Sequence, residues 1–424
     1  MRVLFVSYAE KTHFIGMVPL AWALHNAGHE VRVASHPELT STITHAGLTA
    51  VPVGKDHHLT RVLDICRQLG DEYDFDMAEN RPEHLPWDHL KPRYRGFVVW
   101  WARLVNDSIL KDVTDFSLYW RPDLVIWEPV TFAGPIAAKA VGAAHARFMW
   151  GLDVFARIRS HYLRVGAEQP PAQRQDSLAD WINARGEQYG VEFSEDMSTG
   201  HFTLDYTPPS MRFDLDYHHV PLRYVPYNGT GTVPDWLRTP PKRPRVCLTL
   251  GTSATERLDG YSVPIQDILT SLGDLDIEVV ATIPDAQRDQ LTHVPDNVRT
   301  VPFVPLSALV PTCSAVIHHG GGGSFSTSSI NGVPQLVLAN MVDAPIKGQM
   351  LHDRGAGIFI PSEQATGPAV REALHRLLTE PSYRRDAGRL REEMFAMPSP
   401  ADVVPELEKL AFEYRAAPAQ AAHR

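Results

Sequence analysis

The sequence predicts an α/β protein made of two doubly wound, Rossmann-like domains joined by one linker. Three observations carry that prediction. Short apolar runs such as Val3-Leu4-Phe5-Val6 and Leu124-Val125-Ile126-Trp127 are continuous rather than alternating, the pattern of parallel strands covered on both faces. Between such runs lie segments of helical period that end at glycine. The rhythm also occurs twice, before and after a proline-rich stretch at 226–244. A chain of 424 residues has the length for two or three domains of ordinary size.

Each element has its own signal. After the first strand, Met17, Leu20, Ala21 and Leu24 follow helical spacing, with Pro19 in the first turn and Gly28 as the stop. Val31 to Ala34 then returns as a second strand, completing a βαβ unit. A second unit comprises Asp123 to Trp127, a helix from Phe132 to Val141 closed by Gly142, and a strand from Ala144 to Met149. Residues 55–120 carry charges and aromatics without strand alternation, so helices and loops are expected there. The stretch 226–244 contains Pro226, Pro234, Pro240, Pro241 and Pro244; such density defeats helix and sheet ladders and marks a linker. Strands follow at Val246 to Leu250, Ile277 to Ile283, Ala315 to Ile317 and Val333 to Leu338. Amphipathic helices lie around Val370 to Leu378 and Val403 to Tyr414. The expected division is residues 1–225, a linker at 226–244, a second domain at 245–400, and a terminal helix and tail at 401–424 crossing back over the first domain.

Composition narrows the functional classes. The formal charge is −10, with no long Lys/Arg block, so nucleic acid is not an expected partner. Cys66, Cys247 and Cys313 are odd in number and far apart, which argues against a disulfide framework and a thiolate metal site. The N-terminal apolar run is too short for a signal core, and no run reaches 18 apolar residues; a cytoplasmic protein without a membrane partner is expected.

Ligands of open α/β sheets bind beyond the carboxyl ends of strands. His318 to Ser324, HHGGGGS, lies between a strand and a helix. Its glycines admit close backbone approach, and the helix start favours an anion, so a phosphate-bearing ligand fits. His319 could donate to the same anion. An esterase oxyanion loop is rejected because no G-x-S-x-G elbow exists, and no G-x-G-x-x-G follows the first strand, which disfavours a dinucleotide dehydrogenase. His13 stands in that first loop as a candidate general base. Glu128, after the strand ending at Trp127, is positioned to orient it. Three D-x-D pairs, at Asp74/Asp76, Asp214/Asp216 and Asp274/Asp276, read as solvated loops, and no metal site is expected.

These residues give the chain a family resemblance. Thr12-His13-Phe14, Val18 to Leu24, Trp127-Glu128-Pro129, Thr131 to Gly134, Pro226 to Gly229, Val304-Pro305 and His318 to Ser324 resemble the inverting nucleotide-sugar glycosyltransferases of the GT-B fold. The likeness is greatest to the actinobacterial transferases that attach deoxysugars to macrolide and anthracycline antibiotics. The resemblance implies an N-terminal acceptor domain and a C-terminal domain for the activated sugar, facing each other across a cleft, with His13 as general base and Glu128 as its partner. It also implies that Thr252, Ser253, His319, Gly321, Gly322, Gly323 and Ser324 hold the donor diphosphate. Phe303 and Val304 match the nucleotide base cradle, and Asp343 the residue that contacts sugar hydroxyls. Ala344 replaces the glutamine of many relatives, which suits a deoxygenated sugar.

Tyr8, Phe14, Trp87, Trp100, Trp101 and Trp150 are candidates for an apolar acceptor pocket. The expected co-substrate is a dTDP-sugar, with no bound cofactor and a lipophilic aglycone as acceptor. The resemblance further implies an auxiliary activator protein related to cytochrome mono-oxygenases, with residues 55–120 as its docking surface. A homodimer is left open. The competing readings are a sugar-nucleotide epimerase of similar two-domain fold, a UDP-sugar transferase acting on another lipophilic small molecule, and a non-catalytic binding protein.

Overall fold

The computed structural model describes residues 1–56, 85–251 and 263–415. The chain divides into two compact units, and each is a parallel sheet layered with helices. Unit 1 comprises Met1–Asp205, Phe213–Leu222 and the chain from Pro398 onward; unit 2 comprises Tyr206–Arg212 and Arg223–Met397. The proline-rich stretch 226–244 therefore lies inside unit 2, and the chain passes between units earlier than the expected boundary at 226. The reason is packing. Met211 belongs to the apolar cluster around Phe325, Val337 and Leu351, and the Tyr224 hydroxyl lies 3.2 Å from Thr327 Oγ1.

Among the described residues, the sheet of unit 1 has strands β1 (Arg2–Val6), β2 (Glu30–Ser35), β3 (Ala50–Pro52), β4 (Leu124–Trp127), β5 (Ala144–Phe148), β6 (Phe202–Asp205) and β7 (His219–Pro221). Their order is β3-β2-β1-β4-β5-β6-β7, all parallel. Helices α1 (Lys11–Phe14), α2 (Val18–Asn26), α3 (Leu110–Trp120) and α4 (Ala133–Val141) belong to this unit. Helix α4 ends where Gly142 takes φ 70°, a conformation that costs glycine nothing. Within the stretch expected to be helices and loops, the described part runs as helix from Trp87 to Asp107, with a π-helical segment at Phe97–Ala102.

The sheet of unit 2 has strands β8 (Arg245–Thr249), β9 (Glu278–Thr282), β10 (Val298–Val301), β11 (Ala315–His318), β12 (Gln335–Ala339) and β13 (Gly357–Pro361), ordered β10-β9-β8-β11-β12-β13. Helix α5 (Gly322–Ile330) follows β11, and α6 (Ala344–Asp353) follows β12. The terminal helix α7 (Val404–Tyr414) belongs to unit 1 and packs on β5. It is tied there by Arg415 to Asp123 and by Glu408, 3.0 Å from His29 Nε2.

Strands β3, β6, β7, β10 and β13 have no clear sequence signal. Strand β6, Phe-Thr-Leu-Asp, is buried throughout because its polar groups find partners. The Thr203 hydroxyl, for instance, donates to the Thr199 carbonyl at 2.6 Å and accepts from Arg147 at 3.2 Å. Cys247 and Cys313 are free and buried, and burial pushes the Cys313 thiol up to about 12; Cys66 lies outside the described residues. No helix among the described residues is long and apolar enough to cross a membrane.

Candidate active site

In unit 1 the strand order reverses between β1 and β4, the point of an open sheet where adjacent loops diverge and leave a crevice. Val6 is in register with Trp127, so the loops leaving these two strands start side by side. From β1 the chain runs through Ser7-Tyr8-Ala9-Glu10 into the one-turn helix α1, whose start is capped by Glu10. The Glu10 carboxylate accepts the Thr12 backbone N–H at 3.2 Å and its hydroxyl at 2.6 Å. That cap fixes the turn carrying His13. From β4 the chain places Glu128, whose side chain is fully buried.

The two meet. His13 Nδ1 lies 3.1 Å from Glu128 Oε2. A carboxylate at Nδ1 holds the proton on that nitrogen and leaves the Nε2 lone pair as a base. The His13 side chain is 14% exposed. Glu128 is anchored in turn. Thr131 Oγ1 donates to its Oε1, the Val130 N–H to Oε2 at 3.4 Å, and the Trp150 indole N–H to Oε2 at 3.3 Å. Thr131 Oγ1 also accepts the Tyr8 backbone N–H at 3.1 Å, which stitches the β1 loop to the β4 loop.

Aromatic rings frame His13. Trp150 stacks on it at 4.2 Å between centroids and 25° between planes, and Tyr8 meets it edge-on at 5.2 Å. Trp101 stands edge-on to Tyr8 at 6.4 Å. Of the other residues expected to line an acceptor pocket, Phe14 is buried in the core. Trp87 is also buried, packed against Tyr162 and close beside Gly166. Among the ring contacts of the described residues neither joins the set around His13, and Trp87 instead packs on the helix Val154–Ala167. The side chain of Trp100 is outside the described residues. Thr131 stands in a motif segment but is given no role there, although its position three residues after Glu128 is the reach of a turn.

In unit 2 the strand order reverses between β8 and β11. Here His318 and His319 part in surroundings. His318 is wholly buried, with Nδ1 accepting the Gly320 N–H at 3.0 Å and Nε2 2.8 Å from Gln335 Oε1. Burial drives its pKa down to about 3. It braces the loop. His319 is packed between the Gly251 and Gly321 backbones, where added Cβ atoms would come within 2.5 Å and 2.4 Å of its ring. Burial first, and the Lys347 ammonium second, lower its pKa to about 4 against the opposing effect of the Thr249 backbone. Its Nδ1 is buried with no hydrogen-bond partner among the described residues. A neutral imidazole beside a helix start suits a phosphate oxygen as acceptor.

The glycine loop packs against the turn after β12. Gly320 sits at φ 84°, and a Cβ there would lie 2.6 Å from Ala344 Cβ. Ala344 is thus buried in packing rather than open to a ligand. The exposed apolar groups beside Asp343 are Met341 and Val342. Val342 takes φ 54°, left-handed backbone that a β-branched residue rarely adopts. Asp343 itself is buried and ion-paired with buried Lys347 at 2.9 Å, and the Lys347 ammonium lies 5.2 Å from the centre of the Phe325 ring. Lys347 carried no motif signal. Phe303 is exposed while Val304 is buried in an apolar cluster. Thr252 and Ser253 lie outside the described residues.

One further cluster has metal-ligand chemistry. His145, Asp196 and His201 offer ligand atoms within 4.8 Å of one another. Asp196 Oδ2, however, already takes Lys139 at 2.6 Å and His145 Nε2 at 3.0 Å. His201 Nδ1 accepts the His145 backbone N–H at 3.2 Å, which directs the His201 proton at Nε2 toward Asp196. The Asp196 carboxylate is thus already engaged by Lys139 and both imidazoles, while His145 Nδ1 is buried with no hydrogen-bond partner among the described residues. Of the acidic pairs, Asp274 pairs with Arg371 and Asp276 with Arg243, and Asp74/Asp76 lie outside the described residues.

Comparison with known proteins gives these sites a family. Residues 22–251 match the N-terminal domain, and residues 266–410 the C-terminal domain, of the erythromycin biosynthesis protein CIII-like family. The chain is 50% identical to 10-deoxymethynolide desosaminyltransferase of Streptomyces venezuelae, over the whole of both chains. It is 46% identical to aclacinomycin-T 2-deoxy-L-fucose transferase of Streptomyces galilaeus, covering 98% of this chain and 97% of that one. Among solved structures, the glycosyltransferase VinC in complex with dTDP superposes with a TM-score of 0.88 at 40% identity, covering 97% of this chain and all of the other.

Proposed function

The chain belongs to the erythromycin biosynthesis protein CIII-like family of glycosyltransferases, and from that membership we propose that it moves a deoxysugar from a thymidine-diphosphate donor to a hydroxyl of a polyketide-type aglycone, with inversion, in antibiotic biosynthesis. The observation that carries the chemistry is the His13–Glu128 pair at the β1/β4 reversal point. An aglycone hydroxyl is too weak an acid to ionise near neutral pH. His13 Nε2 takes its proton as the oxygen attacks the anomeric carbon, the bond from that carbon to the diphosphate breaks, and its electron pair leaves with the diphosphate. Glu128 stabilises the resulting imidazolium.

Charge gathers on the departing diphosphate. The amides at the start of α5 and the His319 ring are the groups suited to receive it. A thymidine donor is supported by the dTDP-bound relative. A deoxygenated sugar is supported by the named donors of the relatives and by the exposed Met341 and Val342 beside Asp343. Among the described residues, no feature of the site favours the epimerase or uridine-donor alternatives.

The test is to incubate the protein with a panel of dTDP-deoxysugars and candidate aglycones and detect glycoside by mass, with a uridine donor in parallel. Glycoside formed from thymidine donors and an aglycone supports the reading, whereas donor epimerised or hydrolysed without aglycone dependence overturns it. His13→Ala should cost about 10²- to 10⁴-fold in turnover while dTDP still binds; a near-normal rate removes His13 from the role of base.

A further inference from the structure

The Trp150 ring makes two contacts that an acceptor-lining residue does not need. Its indole N–H donates to Glu128 Oε2, the same oxygen that faces His13 Nδ1, and its face stacks on the His13 imidazole. Phe155 supports it edge-on from a third direction at 5.8 Å, so the ring is held in place. We propose that Trp150 is a positioning residue of the transfer reaction, holding His13 and Glu128 in one plane of action and stabilising the imidazolium that forms as the acceptor hydroxyl gives up its proton.

The physical argument has two parts. An indole face carries negative quadrupole density, so a stacked imidazole gains attraction when it becomes a cation. That gain is absent from the neutral ground state and present once the proton has moved, so it lowers the barrier rather than merely tightening binding. The indole N–H acts differently. It occupies part of one carboxylate oxygen, which limits how far Glu128 can swing and steadies the Nδ1–H···Oε2 bond that fixes the tautomer. Thr131 on Oε1 and Trp150 on Oε2 pin the two ends of one carboxylate. Near-parallel stacking also restrains rotation of the imidazole about its Cβ–Cγ bond, which would carry Nε2 away from the acceptor.

The inference rests on His13 being the base, and the experiment separates the two. Three variants are compared with the wild type: His13→Ala, Trp150→Phe and Trp150→Leu. Trp150→Phe keeps an aromatic face and loses the N–H, whereas Trp150→Leu loses both. Expected are a fall in kcat of about tenfold for Trp150→Phe and about a hundredfold for Trp150→Leu, with donor KM and dTDP affinity within twofold of wild type. The acidic limb of the pH profile of kcat/KM should lie at lower pH in Trp150→Leu than in Trp150→Phe, because only the latter keeps a face for the cation. Normal kcat with a raised acceptor KM, or coincident acidic limbs in the two variants, overturns the inference and leaves Trp150 as pocket lining. Near-wild-type turnover in His13→Ala overturns both the base assignment and the inference. Circular dichroism and retained dTDP binding separate these outcomes from misfolding, and if Trp150→Leu does not fold, the acidic limb of Trp150→Phe is read against wild type, where an unchanged profile and kcat overturn the proposal.

Discussion

Glu128 shows how little of a buried carboxylate's behaviour resides in its own identity. A fully buried carboxylate is tolerable only where donors surround it, and here His13, Thr131, Trp150 and the Val130 amide do so. Removing the charge while keeping the shape should therefore be costly: Glu128→Gln is expected to lower kcat by about 10²-fold or more, because the amide can present a donor to Nδ1 and favour the wrong tautomer. Unchanged kcat in steady-state assays would contradict that. At Val342 the opposite holds, since the residue is held where its side chain resists. Left-handed backbone costs a non-glycine residue about 1–3 kcal/mol, and Val342 is partly exposed with φ 54°. Val342→Gly should then raise stability by about 1 kcal/mol after the entropy cost of glycine, visible as a higher denaturation midpoint in urea. A lower midpoint would mean that the Val342 side chain contributes more in packing than the strain takes away.

At the scale of elements, the strand-to-helix loops owe their shape to bracing contacts. The β11–α5 loop is held from behind by His318, Gln335 and Ser329, and laterally by the contact of Gly320 with the turn that starts α6. Gly320→Ala meets two obstacles, a φ of 84° and a Cβ 2.6 Å from Ala344. It should lose at least about 1–3 kcal/mol of stability and weaken dTDP binding, since the loop must shift to admit the methyl group. Isothermal titration with dTDP and a urea melt measure the two effects. Stability and affinity both equal to wild type would show that the loop yields freely. The one-turn α1 behaves similarly: its position comes from the Glu10 cap and the Thr131–Tyr8 bond rather than from helical propensity, because four residues cannot sustain a helix alone.

For the whole molecule, buried imidazoles set the response to acid. Desolvation lowers His145 to about 4 and His318 to about 3, so both stay neutral in the fold, whereas in the unfolded chain they take protons near 6.5. The unfolded state thus binds more protons between pH 6.5 and about 4, and stability falls as pH falls through that window. Each group contributes a slope of about 1.4 kcal/mol per pH unit at most. Asp196, held well below the usual carboxylate range by His145, His201 and Lys139 against its own burial, acts only at lower pH. Urea midpoints should drop markedly from pH 7 to pH 5, and a flat profile would show that these rings are solvated.

The sequence by itself determined the class of fold, the repeated strand–helix rhythm and the location of the glycine loop, because continuous apolar runs and glycine stops are local signals. His13 and Glu128 were legible for the same reason: each follows a strand that its own residues announce. Tertiary structure decided the rest. Strands β6 and β7 exist because neighbours cover them, and Trp87 and Trp150, alike in sequence, part company because one faces Tyr162 in the core and the other faces an imidazole. Thr131 and Lys347 lie three and four residues after their carboxylates, so those pairs are local, and what the fold adds is their burial. Burial and hydrogen-bond reach are properties of three-dimensional proximity. A linear pattern can place a residue at a strand end, but only the packed sheet decides what stands beside it.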